Sequence, residues 1–198
     1  MNDKLLGLMR FFFAQCVFNN KCFYSACNRM EELERTRKIA TIWISSITII
    51  IIVLQLCCYQ INPKEEFTSY IKGTILILNF LGLAATASSL LYELFTKEDV
   101  TEKKLEYKRI AEDFKDLRDQ LMILIEAYMS NSINEESARI KLEELVSKYD
   151  SIAKYGPQTN YNDYKNAQKE LGIGDSDSEG FTWPDDQINR LLPKPLHL

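Results

Sequence analysis

Two long runs of uncharged, mostly apolar residues dominate the pattern of this chain. The first covers residues 39–61 and the second covers residues 73–92. Each has about 20 residues or more, which is enough for a helix to cross the ~30 Å hydrocarbon core of a bilayer. A buried core helix of a soluble protein is the alternative, but such helices rarely extend so far without a charge. The pattern therefore predicts two transmembrane helices.

The distribution of Lys and Arg predicts how these two helices are oriented. Residues 62–72 are a short connection that includes Pro63, so the two helices form a hairpin. Basic residues are sparse in this connection and concentrated outside the hairpin, at Arg29, Arg35, Arg37, Lys38, Lys97, Lys103, Lys104, Lys108 and Arg109. Since cytoplasmic flanks hold an excess of Lys and Arg, we expect a multi-pass protein with both termini in the cytoplasm.

The N-terminal segment before the hairpin is also apolar. Residues 5–18 are interrupted by Arg10 and are followed by no small-residue cleavage pattern, so they do not resemble a signal peptide. We expect an amphipathic helix that lies on the inner membrane face or packs against the hairpin. A short buried helix within the cytoplasmic part is the alternative.

After the second run the apolar positions become periodic. Seven of them alternate in steps of three and four, namely Tyr107, Ile110, Phe114, Leu117, Leu121, Leu124 and Tyr128. This seam, of the coiled-coil type, predicts a helix over about 96–130 that continues from the second span. A polar turn with Asn134 as N-cap precedes a second seam at Ala138, Leu142, Leu145, Tyr149 and Ile152. Two seams joined by one turn predict a helical hairpin.

The C-terminal part is predicted to be less regular. Residues 160–171 favour a third short helix capped by Thr159 or Asn160, and an acidic, turn-rich linker follows. The final residues contain three prolines and are expected to bind something, which includes the protein's own helical domain.

These elements define the predicted fold. It is an all-α membrane protein with an N-terminal amphipathic helix, a two-helix transmembrane hairpin and a C-terminal cytoplasmic helical hairpin or coiled-coil domain. The corresponding segments are 1–37, 38–96, 97–171 and 172–198.

Composition argues against an enzyme. The chain has one histidine, no Gly-rich phosphate loop and no arrangement of Ser, Cys and His, so we expect neither catalysis nor a cofactor. Cys16, Cys22 and Cys27 lack zinc spacing, so no metal is expected either. Cys57 and Cys58, near the outer end of the first span, either join neighbouring subunits or are packed thiols. Residues 93–198 contain 15 basic and 22 acidic residues, which argues against stable binding of duplex nucleic acid.

The second run has the composition of a pore-lining helix. Its small and polar side chains include the candidates Asn79, Gly82, Ala85, Thr86 and Ser89. Small residues also let helices pack closely, so the alternative is that this side only packs the hairpin or an oligomer. Acidic candidates for the inner mouth of a pore are Glu93, Glu98 and Asp99, whose alternative role is a solvated helix end.

Two groups of residues are candidates for binding an anionic ligand. Lys103, Lys104, Lys108 and Arg109 form a basic patch suited to a nucleotide phosphate or to anionic lipid. In the tail, Trp183 near Arg190 and Lys194 combines stacking with positive charge.

The stretch YDSIAKYGPQTNYNDYKNAQ, after a two-span hairpin, resembles the end signature of the SLATT family. The matching positions are Tyr149, Pro157, Asp163, Tyr164 and Ala167, and the resemblance covers about residues 25–171. It implies a membrane effector of bacterial antiphage systems, placed in the inner (plasma) membrane. It also implies a pore that halts the growth of infected cells, and a partner of the nucleotidyltransferase type whose nucleotide or oligonucleotide is the signal.

A two-span chain cannot enclose an aqueous path alone, so conduction requires a symmetric homo-oligomer, for which we expect four copies. The hypothesis from the sequence is therefore a gated, homo-oligomeric ion channel. The alternative is a membrane-anchored helical scaffold that recruits a cytoplasmic partner without conducting ions.

Overall fold

The computed structural model describes residues 3–60, 65–173 and 183–198. Within these ranges the protein consists of five α-helices, one short 3-10 helix and turns, with no β-strand. The predicted all-α fold with two candidate membrane-spanning helices is confirmed.

Helix α1 extends from Asp3 to Gln60, over 58 residues. It joins the N-terminal segment and the first apolar run in one helix, whereas the sequence pattern predicts two separate elements. No proline occurs in this stretch and its single glycine is Gly7, so nothing in the sequence breaks the helix.

Helix α2 extends from Glu65 to Met129, over 65 residues, and continues from the second apolar run as predicted. The chain reverses after it through Asn131, whose φ of 56° is in the left-handed region that asparagine tolerates. Helix α3 spans Glu135–Tyr155, and the Asn134 side chain accepts a hydrogen bond from the Ser137 backbone amide, as expected of an N-cap.

Glycine at position 156 is required by a close approach at the end of α3. A Cβ on Gly156 would lie 2.9 Å from the Ile152 carbonyl oxygen, so a larger residue would force the backbone to shift. Pro157 follows directly, and the chain then enters helix α4, Tyr161–Glu170. After the undescribed residues 174–182 come helix α5, Asp185–Leu191, and a 3-10 turn, Lys194–Leu196.

The chain divides into two compact units. The first, which we call the bundle unit, comprises Met1–Arg29 and Lys103–Leu198, and the second, the hairpin unit, comprises Met30–Glu102. Both long helices therefore contribute to both units. The sequence pattern predicts boundaries near residues 37 and 96 and a separate N-terminal segment, whereas in the structure that segment, up to Arg29, belongs to the bundle unit.

The core of the bundle unit is built on the predicted seams. All seven seam positions of α2, from Tyr107 to Tyr128, are buried, and so are Ala138, Leu142 and Leu145 of α3. Burial of each large apolar side chain contributes about 1.5–3 kcal/mol. The seam is thus covered within a single chain and needs no second copy to form a coiled coil.

The N-terminal part of α1 belongs to the same core. Leu6, Met9 and Phe13 are almost completely buried in one cluster with the seam of α2 and with α3. The structure therefore agrees with the alternative prediction of a buried helix and not with a helix lying on a membrane face. Aromatic and aliphatic side chains close to the bundle cannot be told from membrane-binding ones by their sequence pattern alone.

The hairpin unit exposes its apolar surface. The most apolar window of α1 has a mean hydropathy of 1.9 with no buried residue, and that of Lys72–Leu91 has 1.8 with 6% buried. The core helix of a soluble protein would be mostly buried. Large exposed side chains include Ile42, Trp43, Ile49, Leu76, Phe80 and Leu83. This surface is suited to contact with acyl chains or with other membrane helices.

Candidate functional site

Three of the candidate pore residues face the neighbouring helix in the hairpin. Gly82 is buried, while Ala85 and Ser89 are half-buried on the same side of α2. A Cβ on Gly82 would lie 4.0 Å from Ile51 Cγ2 of α1, which is an ordinary packing distance. This side of α2 therefore contributes to packing of the hairpin.

The other two candidates lie on the exposed surface of α2. Asn79 and Thr86 are both exposed, and the Thr86 hydroxyl donates a 2.8 Å hydrogen bond to the Gly82 carbonyl. Asn79 lies in a shallow depression with Leu76, Phe80 and Leu83. Among the described residues, none forms a hydrogen bond with the side-chain amide of Asn79. The five candidates are thus divided between two faces of one helix.

A second pair of small residues also remains exposed. Ala84 and Ser88 are four residues apart and both lie on the outside of the hairpin. The spacing that lets helices approach closely therefore occurs twice in α2, and only the face with Gly82 is covered by α1.

The candidates for the inner mouth cannot be placed in the same detail. Glu93, Glu98 and Asp99 lie on α2, but their side chains are outside the described part of the structure.

The basic patch lies on α2 in the bundle unit. Lys103, Lys108 and Arg109 are exposed and Lys104 is half-buried. The patch is thus accessible to an anion.

The three tail candidates have different environments. The Trp183 ring is half-buried and packs edge-on against Phe18, with ring centroids 6.1 Å apart. Arg190 is exposed and pairs with Asp186 at 4.0 Å on its own helix, and Lys194 is exposed. The indole is therefore engaged in packing of the bundle unit.

Four of the five signature residues, in contrast, contact α1. Tyr149 accepts a 3.0 Å hydrogen bond from Asn19 of α1, and its ring packs edge-on against Phe12. Tyr164 packs edge-on against Phe18, and Ala167 is completely buried in a cluster with Phe18. Pro157, half-buried, follows the end of α3 and directs the chain toward α4.

Asp163 makes the strongest of these contacts with α1. Its carboxylate, only 1% exposed, accepts two hydrogen bonds from Arg29, at 3.1 Å from Nε and 2.9 Å from the terminal nitrogen. It also accepts a 3.0 Å bond from the Asn160 amide, while the Asn160 side chain accepts a 2.8 Å bond from the Asp163 amide. This capping box begins α4 and orients the carboxylate at the same time. We call the Arg29–Asp163 pair with Asn160 the clamp.

Electrostatics agree with this geometry. The hydrogen bonds to Asp163 raise the pKa of Arg29, so the guanidinium stays charged at every physiological pH. The two parallel hydrogen bonds from one guanidinium to one carboxylate add geometric specificity to the charge attraction. Arg29 is also the last residue of α1 in the bundle unit. The clamp therefore fixes α1 at the point where it leaves that unit.

Two buried cysteine thiols of the bundle unit, unlike the clamp, carry no charge. Burial raises the pKa of both Cys16 and Cys22 to about 12, so each remains a neutral thiol at physiological pH. Over the residues described, no group of three His, Cys, Asp or Glu side chains is placed to hold a metal ion.

Sequence reasoning missed three residues that organise the bundle unit. Arg29 was used only for topology, Arg10 only as an interruption of an apolar run, and Asn160 only as one of two possible caps. The Asn-x-x-Asp spacing from Asn160 to Asp163 is a recognisable capping-box pattern. Nothing local to Arg10 or Arg29 indicates its partner, because both partners are more than 100 residues away.

Residues 5–179 match the SMODS and SLOG-associating 2TM effector domain, SLATT family 4. The chain belongs to this family. The match covers most of the chain, including both apolar helices and the clamp, and it ends before α5. No curated protein sequence and no solved structure shows significant similarity to the chain.

Membership of this family identifies the two exposed apolar helices. They are the two transmembrane helices of an effector domain that occurs in conflict and defence systems. The resemblance seen in the signature residues of the SLATT chain is thus confirmed.

Proposed function

We propose that this SLATT protein is the membrane effector of a bacterial antiphage system and acts as a homo-oligomeric ion channel. A nucleotide-type signal, or a partner of the nucleotidyltransferase type that makes it, opens the channel, and ion flow then halts growth of the infected cell. The channel lies in the inner membrane and four copies surround its axis. The protein performs no catalysis in this role.

The two-unit structure supports the topology. Residues before and after the hairpin pack together in the bundle unit, which supports placing both flanks of the hairpin on the same side of the membrane. The exposed Lys103, Lys108 and Arg109 follow the second span, and an excess of basic residues is typical of cytoplasmic flanks. The bundle unit and both termini are therefore cytoplasmic.

The exposed face of α2 carries the proposal of an oligomeric pore. Ala84 and Ser88 leave room for close approach of another helix, and Asn79 presents a side-chain amide on a different exposed side of α2. An amide facing acyl chains is costly unless water or another polar group meets it. Several copies arranged around an axis provide both the helix contact and the water.

The clamp supports control from the cytoplasm. Arg29 ends the bundle part of α1, and Met30 begins the hairpin part of the same helix. A ligand that binds two arrangements of the bundle unequally would shift the population of the hairpin through this continuous helix. The exposed lysines and arginine of the basic patch provide charge for a phosphate, and anionic lipid would compete for it.

Ion flux from liposomes tests this proposal. Purified protein should release a trapped ion or dye when a panel of cyclic and linear nucleotides includes its signal. Ser88→Leu should reduce release several-fold, because it places a bulky side chain on the exposed face without entering the hairpin. Gly82→Ala is the matched control and should leave release unchanged, because its Cβ fits at 4.0 Å from Ile51.

The scaffold alternative makes the opposite prediction. It expects tight binding of a cytoplasmic partner through the bundle unit, with no flux in the presence of that partner or of any nucleotide. Equal flux from wild type and Ser88→Leu would also contradict a path bordered by this face of α2.

A further inference from the structure

A completely buried arginine lies in the apolar core of the bundle unit. Arg10 is 0% exposed, although arginine is almost never fully buried without partners. Its terminal nitrogens donate to the Leu196 carbonyl at 3.2 Å and to Asn189 Oδ1 at 2.7 Å. The Asp185 carboxylate is 3.6 Å away. All of these partners belong to residues 183–198, which we call the C-terminal segment.

The C-terminal segment contributes an apolar face beside these polar contacts. Ile188, Leu192 and Leu196 follow one another at intervals of four residues, and all three are buried in the main core cluster. Helix α5 itself has only seven residues, and no side chain caps its first turn. Contacts with the rest of the bundle therefore hold the segment in its conformation.

The Nε nitrogen of Arg10 is the next feature of the site, because it lacks an acceptor within the described part of the chain. Among the described residues, no atom accepts a hydrogen bond from Arg10 Nε, which is buried. A buried unsatisfied donor costs free energy, and here it belongs to a charged group. The C-terminal segment thus packs its apolar face into the core but leaves this nitrogen without a partner. We call the surface around Arg10 of α1 that the segment covers the groove.

The family match also separates this segment from the rest of the bundle. It ends at residue 179, before the C-terminal segment begins. The groove on α1 lies within the matched region, whereas its occupant does not.

We propose that this groove is a peptide-binding site centred on Arg10 and that the C-terminal segment is its resident, exchangeable ligand. The ligand class is a short amphipathic helix with aliphatic residues at four-residue intervals. It carries a backbone carbonyl and a side-chain oxygen that meet the guanidinium. A carboxylate at the position of Asn189 loses the 3.3 Å bond that Asn189 Nδ2 donates to the Leu198 carbonyl. It binds better than an amide nonetheless, because its two-pronged ion pair with Arg10 reaches Nε and outweighs that neutral bond. The proposal is independent of whether the protein conducts ions.

Peptide exchange into the full protein tests the proposal. A protease site is inserted within residues 174–182 of the complete chain, which is purified in detergent and cut. A fluorescent peptide with the sequence of residues 183–198 is then added, and its binding is followed by anisotropy. We expect one peptide per chain to replace the cut segment while circular dichroism shows an intact bundle.

Variants in the peptide sharpen this test, because they leave the protein itself unchanged. Asn189→Leu should weaken binding at least tenfold, and Asn189→Asp should strengthen it several-fold. Arg190→Ala is the matched control and should bind like the parent peptide, since Arg190 is exposed and pairs only with Asp186 on its own helix.

Two results would overturn the proposal. If the cut segment never exchanges while the bundle remains folded, the segment is a permanent part of the core. If the peptide exchanges but the Asn189→Leu, Asn189→Asp and Arg190→Ala forms bind equally, Arg10 does not select the ligand.

Discussion

At the scale of single residues, a buried carboxylate connects the family signature to α1. Asp163 is 1% exposed and accepts three hydrogen bonds, two from Arg29 and one from the Asn160 amide. Removing one partner of such a pair leaves the other charge buried without compensation, which costs more than the pair itself contributes. A single substitution in the clamp should therefore destabilise the bundle unit measurably.

Arg29→Ala is expected to lower the free energy of unfolding of the bundle unit by about 2–3 kcal/mol. This is below the ~3–5 kcal/mol of a fully buried pair, because 30% of the Arg29 side chain is exposed. Denaturant unfolding in detergent, followed by circular dichroism, measures the change. Lys21→Ala is the control, since its ion pair with Glu170 is exposed and should contribute less than about 1 kcal/mol. Equal losses in the two variants would contradict the role of the clamp.

At the scale of elements, helix α4 is held by its first turn. The capping box of Asn160 and Asp163 satisfies two backbone amides and also orients the carboxylate toward Arg29. The sequence predicted this helix and its boundaries closely, because N-cap chemistry is local. It could not predict that the cap is also half of a contact with a residue 134 positions away.

Asn160→Ala should therefore be coupled to Arg29→Ala. Each single change removes support from the same carboxylate, so the double variant should lose less than the sum of the single losses, by about 0.5–1 kcal/mol. Asn134→Ala is the matched control: it removes an N-cap of the same type from α3, worth about 1 kcal/mol, and shares no contact with Arg29. Denaturant unfolding measures two double-mutant cycles, one that combines Arg29→Ala with Asn160→Ala and one that combines Arg29→Ala with Asn134→Ala. Additive losses for Asn160 would show that the cap and the clamp are separate.

The two spans show what an apolar pattern predicts and what it does not. Length and absence of charge predicted the helices, and the seven-position seam of α2 predicted which side chains are buried. The pattern did not predict their partners, because an apolar stripe packs against any other apolar stripe. For this reason the pattern leaves three places open for the N-terminal part of α1: the inner membrane face, the hairpin, or a buried position in the cytoplasmic part. In the structure Leu6, Met9 and Phe13 complete the core of the bundle unit.

At the scale of the whole molecule, two continuous helices link a folded bundle to a membrane hairpin. Helix α1 carries Arg10, Arg29 of the clamp and the first span, and α2 carries the second span and the buried seam. In the proposed function, a ligand bound at the bundle unit would act on the hairpin through these two helices. A single hairpin still cannot enclose water, so function as a channel depends on assembly.

The most direct test of a channel is the structure of the assembled protein in lipid nanodiscs by electron cryomicroscopy. We predict a closed symmetric ring, with four copies as the expected number, whose hydrated axis is bordered by the Ala84 and Ser88 side of α2. Density for a single copy, or for a ring whose axis is filled with acyl chains in the presence and absence of its signal, would contradict the proposed function.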